Sequence, residues 1–227
     1  MSLYLLINIL VIVMPLLLSF ESKIKFYKKA PFFLASFFTV GLYYLVWDVI
    51  ATKRTDWGFN PEYLNGIYVY NLPLEEFLFF ITIPYACLFL YETIKLYLPE
   101  RQFSVQDWIF NLIGILFFIL AALFYDQNYT FTVLLTMGLF FIVAANTFPA
   151  LLKSMRYWIF IVSSFLPFVA VNYILTSRPI VTYNPDAIWG IRLTTIPLED
   201  FFYSFSMLSL YLLVYIFTGE LWQKRKK

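Results

Sequence analysis

Seven apolar stretches dominate this chain, at roughly residues 2–20, 30–50, 73–95, 105–124, 129–149, 157–176 and 197–217. Each is close to the about 20 residues a helix needs to cross a bilayer. Inside lipid every backbone N–H and C=O must be paired within the chain, so such segments have to be helices. Only 13% of residues are charged, against about a quarter in a soluble domain, which leaves too little polar surface to hide seven apolar segments from water. The reading is an all-α polytopic membrane protein with seven transmembrane helices, forming a single membrane domain over residues 1–227. The first stretch lacks a basic start, and "LLLSFES" offers no small-x-small cleavage site, so it reads as a retained helix.

Lys and Arg in the connections set the expected orientation. Lys23, Lys25, Lys28, Lys29, Lys95, Arg101, Lys153, Arg156, Lys224, Arg225, Lys226 and Lys227 fall on one side. Lys53, Arg54, Arg178 and Arg192 fall on the other. The richer side is cytoplasmic, which puts the N-terminus outside and the C-terminus inside.

Several function classes drop out. With no histidine in the chain, Ser-His and Cys-His nucleophile systems and the commonest metal ligand are absent. The single cysteine, Cys87, forms no internal disulfide and no thiolate metal cluster. No GxGxxG or GxxxxGK[ST] sequence cradles a nucleotide, and a net charge of +2 does not point to nucleic acid. No cofactor and no metal is expected. Acid–base chemistry would fall to Asp, Glu, Tyr or Lys.

The two long external connections resemble each other. Shifted by 124 positions, "FNPEYLNGIYVYNLPLEEF" lies over "YNPDAIWGIRLTTIPLEDF", with eight of 18 positions identical from Asn60 to Phe77. That marks an internal repeat, with repeat one at about 30–96 and repeat two at about 155–220. The second and third spans lie over the sixth and seventh, and Asp48 lies over Asn172. An even number of spans separates the copies, so both have the same orientation and a pseudo-two-fold axis runs along the membrane normal. Such an axis can bring two copies of one motif face to face.

Each copy carries adjacent acids at the start of a span, Glu75 and Glu76 in "PLEEFLFF", Glu199 and Asp200 in "PLEDFFYS". A structural reading exists: Pro73 and Pro197 suit a first turn, and acids there complement the helix dipole. Yet acids at a membrane helix are costly and mark candidate sites. Adjacent helix positions point about 100° apart, so one acid of each pair faces the bundle. The identical pair, Glu75 and Glu199, is expected to be the inward one. With Asp48 and Asn172 they would form one polar cluster beneath the outer loops. A carboxyl in an apolar pocket can stay protonated and act as a general acid while a partner accepts a proton. Nearby aromatics such as Trp47, Phe79 and Tyr203 could face a cation. The residues thus suggest proton-in, proton-out chemistry on an apolar substrate from the bilayer.

The motifs "WD" at 47–48, "WGFNPEYLNG" at 57–66, "PLEEFLFF" at 73–80, "YNPDAIWGIRL" at 183–193 and "PLEDFFYSF" at 197–205 resemble the membrane-integral lycopene cyclases, in the form that fuses two short bacterial subunits. The resemblance covers essentially the whole chain. It implies a lycopene β-cyclase of carotenoid biosynthesis, an intramolecular lyase or isomerase with no net redox change, in the bacterial cell membrane. Linear lycopene ends would become β rings, giving γ- and then β-carotene. Partners would be lycopene or a related polyene, membrane lipid and other carotenoid-pathway enzymes. The carried-over catalytic candidates are Glu75 and Glu199, supported by Glu76, Asp200 and Asp48; either glutamate could be the donor. Trp47, Asn60, Phe79, Asn172, Asn184, Arg192 and Tyr203 are the pocket candidates. Arg192 has no basic counterpart at Tyr68 and could hold one carboxyl ionised. Two alternatives stay open: a membrane terpene cyclase acting on another polyene, and a non-catalytic carotenoid-binding or transport protein. A seven-helix photoreceptor is excluded, because residues 197–217 contain no lysine for a Schiff base.

Overall fold

The structure is a computed structural model that describes residues 1–224. Arg225, Lys226 and Lys227, counted above with the cytoplasmic charge, lie outside the described residues. Helices make up most of the chain: α1 (Leu3–Leu18), α2 (Ala30–Ser36), α3 (Leu42–Arg54), α4 (Leu74–Tyr97), α5 (Asp107–Leu123), α6 (Asn128–Thr147), the short α7 (Pro149–Lys153), α8 (Met155–Ser177) and α9 (Leu198–Lys224). Five helical stretches are long and apolar enough to cross a membrane: Phe26–Arg54, Leu74–Tyr97, Asn128–Thr147, Met155–Ser177 and Leu198–Lys224. α1 and α5 are apolar but shorter, at 16 and 17 residues. The protein is therefore a helical membrane protein.

Local chemistry sets the helix ends and contacts. Ser2 caps α1 by accepting the Leu5 N–H. α2 and α3 join through a π-helical turn, Phe37–Gly41. At Gly41 the Tyr211 hydroxyl of α9 occupies the space a Cβ would need, and that hydroxyl donates to the Phe80 carbonyl at 2.9 Å. One close approach thus ties three spans. α5 and α6 meet backbone to backbone: a Cβ on Gly138 would stand 2.9 Å from the Gly114 carbonyl oxygen. Small residues at such crossings allow the tight packing that replaces the hydrophobic effect in lipid.

The two long loops cover one end of the bundle with closely matching hydrogen bonds. β1 (Trp57–Phe59) pairs antiparallel with β4 (Val181–Tyr183), with Trp57 opposite Tyr183, Gly58 opposite Thr182 and Phe59 opposite Val181. Asn60 N–H donates to Ile180 O and Asn184 N–H to Asp56 O, both at 2.9 Å. Each loop then makes one 3₁₀ turn, Pro61–Tyr63 or Pro185–Ala187, capped by Asn60 or Asn184. Gly66 and Gly190 follow in the left-handed region, at φ 77° and 78°. A short hairpin closes each loop, β2 (Tyr68–Val69) with β3 (Leu72–Pro73), and β5 (Arg192–Leu193) with β6 (Ile196–Pro197). Leu74 N–H donates to Ile67 O at 2.8 Å, and Leu198 N–H to Ile191 O at 2.9 Å. These bonds fix how α4 and α9 enter the bundle, and so which side chains face inward.

Candidate active site

A cavity of about 550 Å³ runs between α1, α4, α8 and α9. On α1 its wall extends from Tyr4 to Leu18, which at 1.5 Å per residue is about 21 Å. Most of the lining is apolar: Leu10, Val11 and Met14 of α1, Phe79, Ile83 and Leu90 of α4, Pro167, Phe168 and Val171 of α8, Met207 and Leu208 of α9. Leu10, Met14 and Pro167 are also exposed on the outside of the molecule, so the cavity opens sideways towards lipid between α1 and α8.

Its polar groups gather at the end covered by the loops. Asp48 of α3, Glu76 of α4, Asp200 of α9 and Asn172 of α8 all line it there, with Tyr4, Trp57, Tyr129, Tyr183 and Tyr203. Asp48 is 1% exposed, Glu76 9% and Asp200 5%. Each acid is held by an aromatic donor. Trp57 Nε1 donates to Asp48 Oδ1 at 2.7 Å. The Tyr4 hydroxyl donates to Glu76 Oε2. Tyr129 donates to Asp200 Oδ1 at 2.7 Å and Tyr183 to Oδ2 at 2.8 Å. Burial first, and the adjoining Asp200 carboxyl second, push the Tyr183 hydroxyl well above the ordinary phenol range, so it remains a donor. Tyr44 meets Tyr203 edge to face behind this group, and Trp47 packs tilted against Tyr203 with ring centres 4.9 Å apart.

The expected facing of the paired acids is reversed. Glu75 and Glu199 are fully buried but point up under the loops. Glu75 Oε1 accepts the Asn65 N–H and the Ser2 hydroxyl, both at 2.7 Å. Glu199 Oε1 accepts the Trp189 N–H at 2.6 Å and the Thr130 hydroxyl at 2.7 Å. The reason is loop chemistry: loop N–H groups folded down onto the bundle need acceptors, and the first acid of each helix is the one within reach. The second acid, about 100° further round, then meets the cavity.

The remaining candidates divide. Phe79, Asn172 and Tyr203 line the cavity. Trp47 supports Tyr203 from behind. Asn60 and Asn184 do not reach the cavity; their side chains accept the N–H of Glu62 and Asp186 and cap the 3₁₀ turns. Arg192 is exposed, donates to Thr195 O at 2.8 Å and lies 5.7 Å from the Tyr183 ring centre. It does not line the cavity, although its charge acts on Asp200 from outside it.

Tyr4, Tyr129, Tyr183 and Trp57 hold the acids and escaped the sequence reading. One signal was available. Tyr4 and Tyr129 stand 125 positions apart and each bonds the second acid of a pair, so carrying the 124-residue comparison upstream, with one residue of slip, aligns them.

Fold and site together define a polytopic membrane protein with a lipid-facing apolar cavity that ends in buried, hydrogen-bonded acids. The model of the lycopene cyclase family matches residues 1–94 and 126–218, and the chain belongs to that family. Comparison with curated proteins and with solved structures returns no match.

Proposed function

We propose that the chain is a lycopene β-cyclase that closes the linear ends of a polyene into β rings, an isomerisation with no net redox change. The observation that carries the reading is the convergence of Asp48, Glu76 and Asp200, from three helices, on one end of a long apolar cavity. The chemistry asks for that combination. A proton adds to the terminal C=C, whose π electrons form the new C–H bond and leave a tertiary cation. The next C=C attacks it, forming the ring C–C bond. A carboxylate then removes a ring proton, and the C–H electrons become the ring double bond. Acids supply and accept the proton, and the faces of Tyr203, Tyr129 and Trp57 stabilise the cation. The apolar tunnel holds the rest of the polyene, which enters from the bilayer between α1 and α8. Glu76, Asp200 and Asp48 act on the substrate, while Glu75 and Glu199 latch the loops.

The same reading takes the fold as seven spans built from a duplicated unit, with the N-terminus outside and the acids near the outer face of the cell membrane. Supporting the duplication, Gly58 pairs with Thr182, the residue 124 positions on. An antiparallel pair centred on equivalent residues is what a two-fold axis through the loops requires. α6 then corresponds to α1, and the two family segments, beginning 125 positions apart, suit a unit that includes them.

The test is chromatography of pigments from bacterial cells that accumulate lycopene and express this chain. β-Carotene is expected, with γ-carotene as the one-ring product. Unchanged lycopene beside well-expressed protein would overturn the reading and move another polyene, or simple carotenoid binding, ahead.

A further inference from the structure

The three cavity acids are not equally placed. Both oxygens of Asp200 accept tyrosine hydroxyls, and Glu76 Oε2 accepts another. Asp48 differs. Its Oδ1 takes the Trp57 N–H at 2.7 Å and the Thr52 hydroxyl at 3.4 Å. Its Oδ2 is buried with no hydrogen-bond partner, on a side chain that lines the cavity. A buried carboxylate oxygen without a donor is expensive. A carboxylic acid O–H in the same position costs far less, and its proton finds no protein acceptor. The Asp48 side chain lines the cavity in which a substrate's terminal C=C would lie, and a π bond there is a base the proton can reach.

We propose that Asp48 is the proton donor of the cyclisation, delivering from Oδ2; this rests on the cyclase reading above. The Asp48 O–H bond breaks and leaves its electron pair on oxygen, while the substrate π pair forms the new C–H bond. The ring proton goes to Glu76, which keeps one oxygen outside its bond to Tyr4, and returns to Asp48 before the next cycle. Asp200, with both oxygens occupied by phenol donors, stays an anion facing the cation. Trp57 is a positioning residue, since its N–H fixes Oδ1 and thereby aims Oδ2.

The experiment uses the full chain in lipid vesicles loaded with lycopene in heavy water, comparing wild type with Asp48→Asn and Asp48→Leu. Either variant keeps the cavity wall, and leucine removes the unpaired polar group altogether. The expected result is retained lycopene, cyclic product at least about 100-fold slower, and no deuterium in the recovered lycopene. Three results would overturn the assignment. One is cyclisation within about threefold of wild type. Another is deuterium entering lycopene on an Asp48 variant, which would mean another group protonates it. The third is failure of both variants to hold lycopene, which would make Asp48 a structural residue. The cyclase reading fails separately, by absence of cyclic product from the wild type.

Discussion

Replacing the first acid of each pair should weaken the fold and spare the chemistry, while replacing the second should do the opposite. Each of Glu75 and Glu199 accepts one loop N–H and one hydroxyl on a single oxygen. In Glu75→Gln or Glu199→Gln an amide oxygen can still accept both, but the amide NH2 takes the place of an Oε2 that is buried without a partner, at about 1–3 kcal/mol. The cost is about 2 kcal/mol per site, or about 4–8 °C in melting temperature for a chain of this size. Leucine instead takes the acceptor from a partly buried N–H and a hydroxyl, at no more than about 1–3 kcal/mol each, for up to about 6 kcal/mol per site. Turnover in the glutamine variants should stay within about tenfold of wild type, whereas Glu76→Gln should lose 100-fold or more with its melting temperature nearly unchanged. The assay pairs tryptophan-monitored melting of purified protein with chromatography of pigment products. A Glu75→Gln protein that melts like wild type but makes no cyclic product, beside a fully active Glu76→Gln, would refute the reasoning.

Tyr183→Phe removes the 2.8 Å bond to Asp200; a hydrogen bond to a charged group is worth about 1.5–3 kcal/mol, so turnover should fall about 10- to 150-fold, read as kcat at unchanged expression. Val171→Trp thrusts bulk into the cavity wall; overpacking of about 1–3 kcal/mol, felt only when the polyene is bound, should raise KM by about 5- to 150-fold with little change in melting temperature. Gly138→Val drives a side chain towards Phe118 and the Gly114 carbonyl oxygen; the backbone cannot yield as a side chain can, so α5 should part from α6 and the yield of folded protein from membranes should drop sharply. Glu92→Leu, at the other end of α4, takes the acceptor from the Tyr215 hydroxyl and should cost about 1–3 kcal/mol in melting, while the half-exposed Lys29 and Lys95 partners add little.

Sequence made the helices legible and hid their rotation. The stretch read as 157–176 is α8 at Met155–Ser177, because burial in lipid demands a length that hydropathy records directly, while 105–124 is α5 at Asp107–Leu123, one of the two shorter apolar helices. The last stretch, read to 217, continues as helix through Gly219 and Glu220 to Lys224, because a helix leaving the membrane keeps its own hydrogen bonds. Facing was harder. A membrane helix is apolar all round, so α4 carries no stripe to reveal its phase. That phase is set by the Leu74–Ile67 hydrogen bond and by Glu75 reaching the Asn65 N–H, contacts that exist only once the loop has folded. Asn60 and Asn184 misled for a related reason: an Asn before a Pro suits a 3₁₀ cap as well as a ligand site, and the two look alike as text. Tyr4 and Tyr129 went unseen because they lie in the first and fifth spans, beyond the limits set for the repeats.

On the proposed duplication, the frame is nearly symmetric and the chemistry is not. Matching bonds hold Glu75 and Glu199 to the loops, and Tyr4 and Tyr129 each bind a second acid. Against that frame, Asp48 faces Asn172 across the axis, Glu76 faces Asp200, and Asp200 alone gains a second phenol from Tyr183. A symmetric site would offer two equivalent acids, each as ready to give a proton as the other. Cyclisation needs one group that gives a proton and another that takes it, held at different points around one cation. Divergence at a few positions creates that difference, and the conserved latches below the loops keep those positions in register. On the proposed cyclase reading, the substitutions that separate the two copies at the cavity are therefore where the direction of proton flow is encoded.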